Sequence, residues 1–385
     1  MSNPAQRATK LFVQTFGTKA DDLYQAPGRV NIIGEHTDYN EGLVLPAAIN
    51  FHTVIAVKHR EDDLFRAVTD AFPGQIKQWH FGEEGTVSSN DDWANYLKGV
   101  TSAMHTSGLQ AKGLDLAIVG NVPLGAGLSS SAALEVAFGT AISYASQLHL
   151  SPLAIAQLSQ RGESQYMCHD CGIMDQMISA LAVEDHALLI DCLELESEIV
   201  LIPDELSIIV IDPGINRKAF MVQFEQRKKE CSIITDLLGL DSLRDLSSSY
   251  LEQRRDNLSS EQFRRARHVI TENNRASNVA RAFEQNNIAR FSQLMTQSHQ
   301  SLRDDFEVIL PEVDILVSMI AEHIGERGGV RMSDGCVIAL IGHELTDDVI
   351  NLVEQQYTQK TGLEAKIHLC SASAGAGRIS KSPRK

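Results

Sequence analysis

Between Gly120 and Gly139 the chain reads GNVPLGAGLSSSAALEVAFG. An apolar run, LDLAIVGNV, leads into Pro123; a loop then carries Gly125 and Gly127; and Ser129, Ser130 and Ser131 introduce a segment with apolar residues at Leu134, Ala137, Phe138 and Ala141. That spacing predicts strand, glycine loop and helix, in that order. Glycines let a backbone come close to a ligand, and the first turn of a helix offers unpaired N–H groups and the positive end of its dipole, which together suit a phosphate. The same residues also suit a tight turn followed by a helix cap, and both readings stand at this point. The serine hydroxyls have the chemistry to cap the helix, to ligate magnesium, or both. The segment is neither a Walker A sequence nor a G-x-G-x-x-G fingerprint, so the folds those two signatures mark are not implied.

The rest of the chain alternates without repeats. HTVIAVKH, HALLIDC, LSIIVIDP and CVIALIG read as strands bounded by glycine, proline or polar residues, and Ser131 to Leu148, Ala266 to Gln285 and Thr346 to Thr361 carry helical spacing. Strands and helices are therefore mixed. Ser242 to Gln262 is polar enough for an exposed connection, though its charges also suit surface helices. The strand pattern places a boundary near Val200 to Pro213. A chain of 385 residues with 43% hydrophobic content has material for a large core and roughly two to three domain-sized units.

Charge and apolar runs exclude several functions. With 34 basic against 50 acidic residues the formal net charge is −16, which repels a phosphate backbone and argues against nucleic acid or an anionic membrane surface. The basic end, Lys381 to Lys385, is too short to reverse this. No apolar run approaches the roughly 18 residues of a membrane span, and the first ten residues lack the apolar stretch of a signal peptide, so a cytoplasmic location is expected. Six cysteines over this length make no disulfide framework and are expected to be reduced. Cys168 and Cys171 form a C-x-x-C, but no second pair stands at zinc spacing and no thioredoxin-like context surrounds it.

Two more segments concentrate chemistry. In GRVNIIGEHTDYNEG, Gly28 to Gly42, an apolar run ends at Gly34 and is followed at once by Glu35, His36 and Asp38. This is either a solvated turn or a site. In GESQYMCHDCGIMDQMISA, Gly162 to Ala180, Asp175 lies among Ile173, Met174, Met177 and Ile178, where an unpaired carboxylate is costly. A helix cap or a structural arginine would equally satisfy it.

Together these segments resemble the galactokinases, within the larger group that includes homoserine, mevalonate and phosphomevalonate kinases. APGRVNIIGEHTDYNEGLVLPAAI is similar to the galactokinase signature and Pro123 to Ala132 to the family's nucleotide loop. WANYLKGV, CGIMDQ, RHVITEN, SHQSLRDDFEV, GGVRM and SAGAG follow in the family's order. The resemblance spans almost the whole chain. It implies a two-lobed α+β fold with mixed sheets and helices, the active site in the cleft between lobes, residues 1–205 forming the lobe with the sugar signature and nucleotide loop, and 206–385 the second.

The implied activity is ATP-dependent phosphorylation of the C1 hydroxyl of galactose or a related hexose, with Mg2+. By resemblance, Glu35, His36, Thr37, Asp38 and Gly172 hold the sugar, and carboxylates and an imidazole are suited to its hydroxyls. Asp175 is the implied base, and Arg29 the cation that neutralises the transferred phosphoryl group. Gly125, Ala126, Gly127, Leu128, Ser129, Ser130 and Ser131 form the implied phosphate loop, with Ser131 and Glu163 on the metal. Neither nucleic acid nor membrane is an expected partner, and no oligomeric state is implied.

The chain also departs from the family. Where galactokinases carry RMTGGGFGGC, this chain reads RMSDGC, Arg331 to Cys336, so Asp334 stands in a shortened loop where it is expected to repel nucleotide phosphates or product. Phe224 stands where a tyrosine usually meets the sugar, Lys228 replaces an arginine, and Ala133 replaces a serine. The retained Arg29, Ser131, Glu163 and Asp175 predict a working sugar-1-kinase. The shortened loop and Phe224 instead suit a sugar- or nucleotide-binding relative with weak or no turnover.

Overall fold

Alternation within single strands builds the molecule. The computed structural model describes residues 3–123, 125–169 and 171–379, so Leu124, Asp170 and the basic end Lys381 to Lys385 lie outside the described residues. Its twelve described strands are β1 (Asp22–Ile33), β2 (Leu43–His59), β3 (Leu64–Thr69), β4 (Lys77–His80), β5 (Leu114–Gly120), β6 (His186–Asp191), β7 (Glu196–Leu201), β8 (Leu206–Asp212), β9 (Gly328–Ser333), β10 (Cys336–Gly342), β11 (Lys366–Cys370) and β12 (Gly377–Arg378). They form two sheets. The first runs β12-β1-β2-β5-β3-β4, with β6 pairing both the start of β2 and β7; the second runs β11-β8-β10-β9. Only the β3–β5 pair is parallel among these strands, so the first sheet is mixed and the second antiparallel.

Because side chains alternate across a strand, HTVIAVKH feeds two cores. Val54 and Ala56 face the N-terminal helix Pro4–Phe16 through Ala8 and Phe12. Ile55 and Val57 face the opposite side, where Phe138 of the helix Ser130–Ala145 and Leu97 of Ala94–Thr106 pack. CVIALIG does the same in the second sheet. Val337, Ala339 and Ile341 meet the core under the helices Pro311–Ile324 and Thr346–Thr361, while Ile338 and Leu340 meet Val30, Ile32, Leu45 and Ala47 of the first sheet. This last cluster seals the two sheets together. Each fully buried aliphatic in it is worth about 1.5–3 kcal/mol relative to exposure.

All five strand segments and the three helical segments read from the sequence fold as such. Ser242 to Gln262 folds as short surface helices, not an open connection, because Leu243, Leu246 and Leu251 are buried beneath it. The long helix Ser260–Glu284 that follows starts on a reciprocal cap between Ser259 and Gln262. No helix among the described residues is long and apolar enough to cross a membrane.

Candidate active site

β1 delivers Arg29, and the chain beyond β1 delivers Glu35, His36 and Asp38 before β2 begins. The glycine loop joins β5 to the helix Ser130–Ala145 and lies against β1, where the Arg29 amide donates to the Leu128 carbonyl at 3.1 Å. The short helix Met174–Leu181 carries Asp175 in its first turn. The β9–β10 hairpin brings Asp334, and the helix Arg217–Leu238 brings Met221 and Phe224. All of these line one cavity of about 270 Å³.

Arg29 is the hub. It is 5% exposed and donates from Nε to Asp175 Oδ1 at 2.7 Å and from Nη1 to the Gly127 carbonyl at 2.6 Å. Its Nη2 lies 2.7 Å from both Asp175 Oδ1 and Asp334 Oδ2. Burial alone would lower its pKa, but Asp175 and Asp334 outweigh that and keep it charged. The other oxygen of Asp175 accepts from the Ser129 hydroxyl. Ser129 therefore does not cap the helix with its side chain, although it occupies the cap position with a φ of +56°. The Asp334 loop is a two-residue turn between paired Ser333 and Cys336, with φ of +47° at Asp334 and +78° at Gly335, the conformation that an Asp-Gly hairpin favours.

The turn after β1 is held by partners distant in sequence. Glu272, fully buried on the helix Ser260–Glu284, accepts from the amides of Gly34 and Glu35 at 3.1 and 3.2 Å and from Ser298 Oγ at 2.7 Å. Burial would raise its carboxyl, but Arg275, His268 and Arg331 hold it below the usual range. Arg331, also fully buried, donates from Nη1 and Nη2 to Glu35 Oε2, each at 3.0 Å, and to the carbonyls of Ile32 and Asn31. Glu35 Oε1 accepts from the Asp334 amide at 2.9 Å. The EHTD turn is thus buried and tied to distant partners, not a solvated turn.

His36, with a φ of +64°, packs its ring 4.6 Å from Phe306 and 4.9 Å from Phe224 and shares Nδ1 with Tyr39 Oη at 3.0 Å. Burial pushes its pKa down to about 3, so it is neutral, and its Nε2 has no hydrogen-bond partner among the described residues. Asp38 is half-buried, and burial, followed by the nearby Asp175, pushes its carboxyl up to about 7. Gly172 lies against it: a Cβ there would stand 2.1 Å from Asp38 Oδ2.

Two expected residues are off the cavity wall. Thr37 is fully buried, its Oγ1 2.7 and 2.8 Å from the carbonyls of Gly34 and Leu43, so it closes the turn. Ala126 packs into the core between the sheets. Phe224, Gly125, Gly127, Leu128, Ser129, Ser130 and Ser131 are on the wall.

Glu163 also reaches the wall, from a π-helical turn, Gly162–Tyr166. It accepts from Gln176 Nε2 at 2.9 Å, and the same amide lies 3.3 Å from Glu135 Oε2. Burial, then Glu163, pushes the Glu135 carboxyl well up, and Glu135 Oε1 has no hydrogen-bond partner among the described residues. No group of three or more His, Cys, Asp or Glu side chains able to cage a metal occurs among the described residues. Ser131 and Glu163 nonetheless present hard oxygens to one space, which fits a magnesium ion that takes its remaining ligands from phosphates and water. All six cysteines are free thiols, and burial followed by Glu163 raises the Cys171 pKa.

A second cavity, of about 790 Å³, shares Ser130 and Ser131 with the first. Trp93, Tyr96, Phe72, Val87 and Leu134 give it an apolar body, and Ser88, Ser89 and Asn95 polar edges, which suits a flat heteroaromatic base. Of its walls the sequence marks Ser130 and Ser131, at the end of the glycine loop; the apolar body leaves no trace in the sequence beyond Trp93 and Tyr96 of WANYLKGV.

The chain matches the galactokinase galactose-binding signature over residues 10–59 and the GHMP kinases N terminal domain over residues 95–182. It is 30% identical to Lactococcus lactis galactokinase, solved in complex with galactose, with 97% of this chain and 99% of that one covered at a TM-score of 0.92. At 17% identity it is similar to the mevalonate kinase of Methanococcus jannaschii, covering 91% and 98% of the two chains at a TM-score of 0.64. At 13% identity it is similar to a D-glycero-D-manno-heptose 1-phosphate kinase from Bacteriodes thetaiotaomicron, covering 93% and 99% at 0.56. The last two likenesses are of fold alone.

Proposed function

The chain belongs to the galactokinase family of the GHMP kinases, and from that premise we propose that it phosphorylates the C1 hydroxyl of galactose, with the residues above in the following roles. It is an ATP-dependent sugar kinase. We assign residues 1–205 to the lobe with the sugar signature and nucleotide loop and 206–385 to the second, except that the chain returns to the first sheet where β12 pairs with β1. The observation that carries the reading is the meeting of two cavities at Ser130 and Ser131, with Asp175 hydrogen-bonded to the adjoining Ser129.

The nucleoside lies in the larger cavity and its phosphates pass over Gly125 to Ser131, where amides of the first helical turn meet them. The sugar lies in the smaller cavity. Glu35 and Asp38 accept from its hydroxyls, neutral His36 offers Nε2, and Gly172 leaves Asp38 its place. Glu35 is held rigid by Arg331, so its orientation costs nothing on binding. Asp175 orients the anomeric hydroxyl and receives its proton as the oxygen attacks phosphorus, while Arg29 meets the charge on the transferred group. Ser131 and Glu163 would hold magnesium, which supplies charge neutralisation on the phosphates when bound. Phosphoryl transfer asks mainly for position and charge neutralisation, which this set supplies.

A coupled ADP-release assay over a panel of hexoses and amino-hexoses tests the reading. Sugar-dependent release that is greatest with galactose supports it. ATP consumption unaffected by every sugar overturns it.

A further inference from the structure

The shortened RMSDGC loop puts a carboxylate onto the arginine that the proposed reaction needs. The Nε, Nη1 and Nη2 atoms of Arg29 all contact protein oxygens: those of Asp175, the Gly127 carbonyl and Asp334. One buried cation thus lies between two carboxylates, with Asp334 Oδ2 at 2.7 Å. Asp334 is not on a loose tether. The two-residue turn fixes its backbone at φ +47°, and its amide is bonded to Glu35 Oε1 at 2.9 Å, itself anchored by Arg331. A terminal phosphate arriving at Arg29 meets a like charge already seated there, and such juxtapositions are strongly unfavourable away from bulk water.

We propose that Asp334 is a specificity-determining residue of this chain, an internal anion occupying the place at Arg29 that the terminal phosphate of the nucleotide takes. The inference rests on the role given above to Arg29 and deepens it. Triphosphate binding requires Asp334 to leave the guanidinium, whereas diphosphate binding leaves the pair intact. The chain therefore discriminates poorly between tri- and diphosphate, and displacement of Asp334 slows transfer. The sugar pocket is not altered, because Glu35 keeps Arg331 and the Asp334 amide whichever side chain stands at 334.

The test is calorimetric binding of ADP and of a non-hydrolysable ATP analogue, each with Mg2+, to the full chain and to Asp334→Asn. Asparagine tolerates the left-handed turn and removes the charge. The expected result is an analogue affinity within about threefold of that for ADP in the parent, and an analogue affinity raised at least about tenfold in Asp334→Asn with ADP changed less than about twofold. The KM for sugar should stay within about twofold while kcat rises. Asp334→Gly, which also accepts positive φ, serves if the asparagine variant fails to fold. Since both ligands are compared on one preparation, a fraction of inactive protein does not alter the ratio. An analogue-to-ADP ratio that is unchanged or falls in a folded variant overturns the proposal. If the parent turns over no sugar, the kinase reading fails separately, and the ratio still reports on Asp334.

Discussion

Replacing Gly172 by alanine perturbs the proposed sugar site through a single methyl group. Gly172 has no positive φ, so alanine carries no backbone penalty of the left-handed kind. The added Cβ would stand 2.1 Å from Asp38 Oδ2, 2.6 Å from Cγ and 2.9 Å from Cβ. Rotation of the carboxyl alone does not relieve this, because the Asp38 Cβ is fixed by the turn Asp38–Asn40. To reach an ordinary contact of 3.4 Å the carboxylate oxygen has to retreat by about 1.3 Å. Misplacement of a positioning group by about 1 Å costs on the order of a hundredfold in rate. We therefore expect Gly172→Ala to lower kcat/KM for galactose by about a hundredfold, or ~2.7 kcal/mol. ADP affinity, which does not depend on Asp38, should hold. Steady-state kinetics with calorimetry of ADP decide it: kcat/KM within about threefold of the parent would refute the reasoning.

Other outcomes follow from the same geometry. Glu163→Gln should weaken magnesium-dependent binding of the nucleotide by about tenfold while sugar affinity changes little, since a hard oxygen ligand is lost; equal losses for both ligands in calorimetry would contradict the metal role. Phe224→Tyr, whose ring is 4.9 Å from His36, should tighten galactose by up to about fivefold, the ~1 kcal/mol of a neutral hydrogen bond, with little change in kcat, and unaltered KM would count against a sugar contact there. Asp38 titrates at about 7 in the folded chain against an ordinary 3.8, so the folded state binds its proton more tightly. Its stability cost is absent below about pH 4, grows to about pH 7 and then levels off. Asp38→Asn should accordingly raise the melting temperature relative to the parent more at pH 8 than at pH 4.5, and a pH-independent difference in thermal melts would show that the carboxyl is not so perturbed.

What the sequence made legible was local. HTVIAVKH and CVIALIG carry their strand period within eight residues, and the glycine loop announces itself by residue type. The cavity residues Arg29, Glu35, His36, Asp38, Ser131, Glu163 and Asp175 lie in three such segments. The partners that hold them do not. Arg331 meets Glu35 across 296 residues and Glu272 meets the Gly34 amide across 238, and no periodicity marks either pair. Ser242 to Gln262 read equally as an exposed connection or as surface helices, since the three leucines that carry its packing stand among many charges. Asp334 was visible as an intruding carboxylate, but its partner depends on a hairpin turn that sets its direction, so the sequence pointed to the nucleotide where the structure points to Arg29.

The central claim is that the anomeric oxygen of galactose attacks ATP directly, with Asp175 receiving its proton and Arg29 meeting the charge on the transferred group. Phosphorus NMR of the protein incubated with ATP, Mg2+ and galactose reads the bond formed. A new phosphomonoester resonance, split by the anomeric proton, should grow with ADP and be absent for Asp175→Asn, which keeps the shape but cannot accept the proton. A resonance coupled instead to the C6 protons, or equal product from Asp175→Asn, would contradict the account.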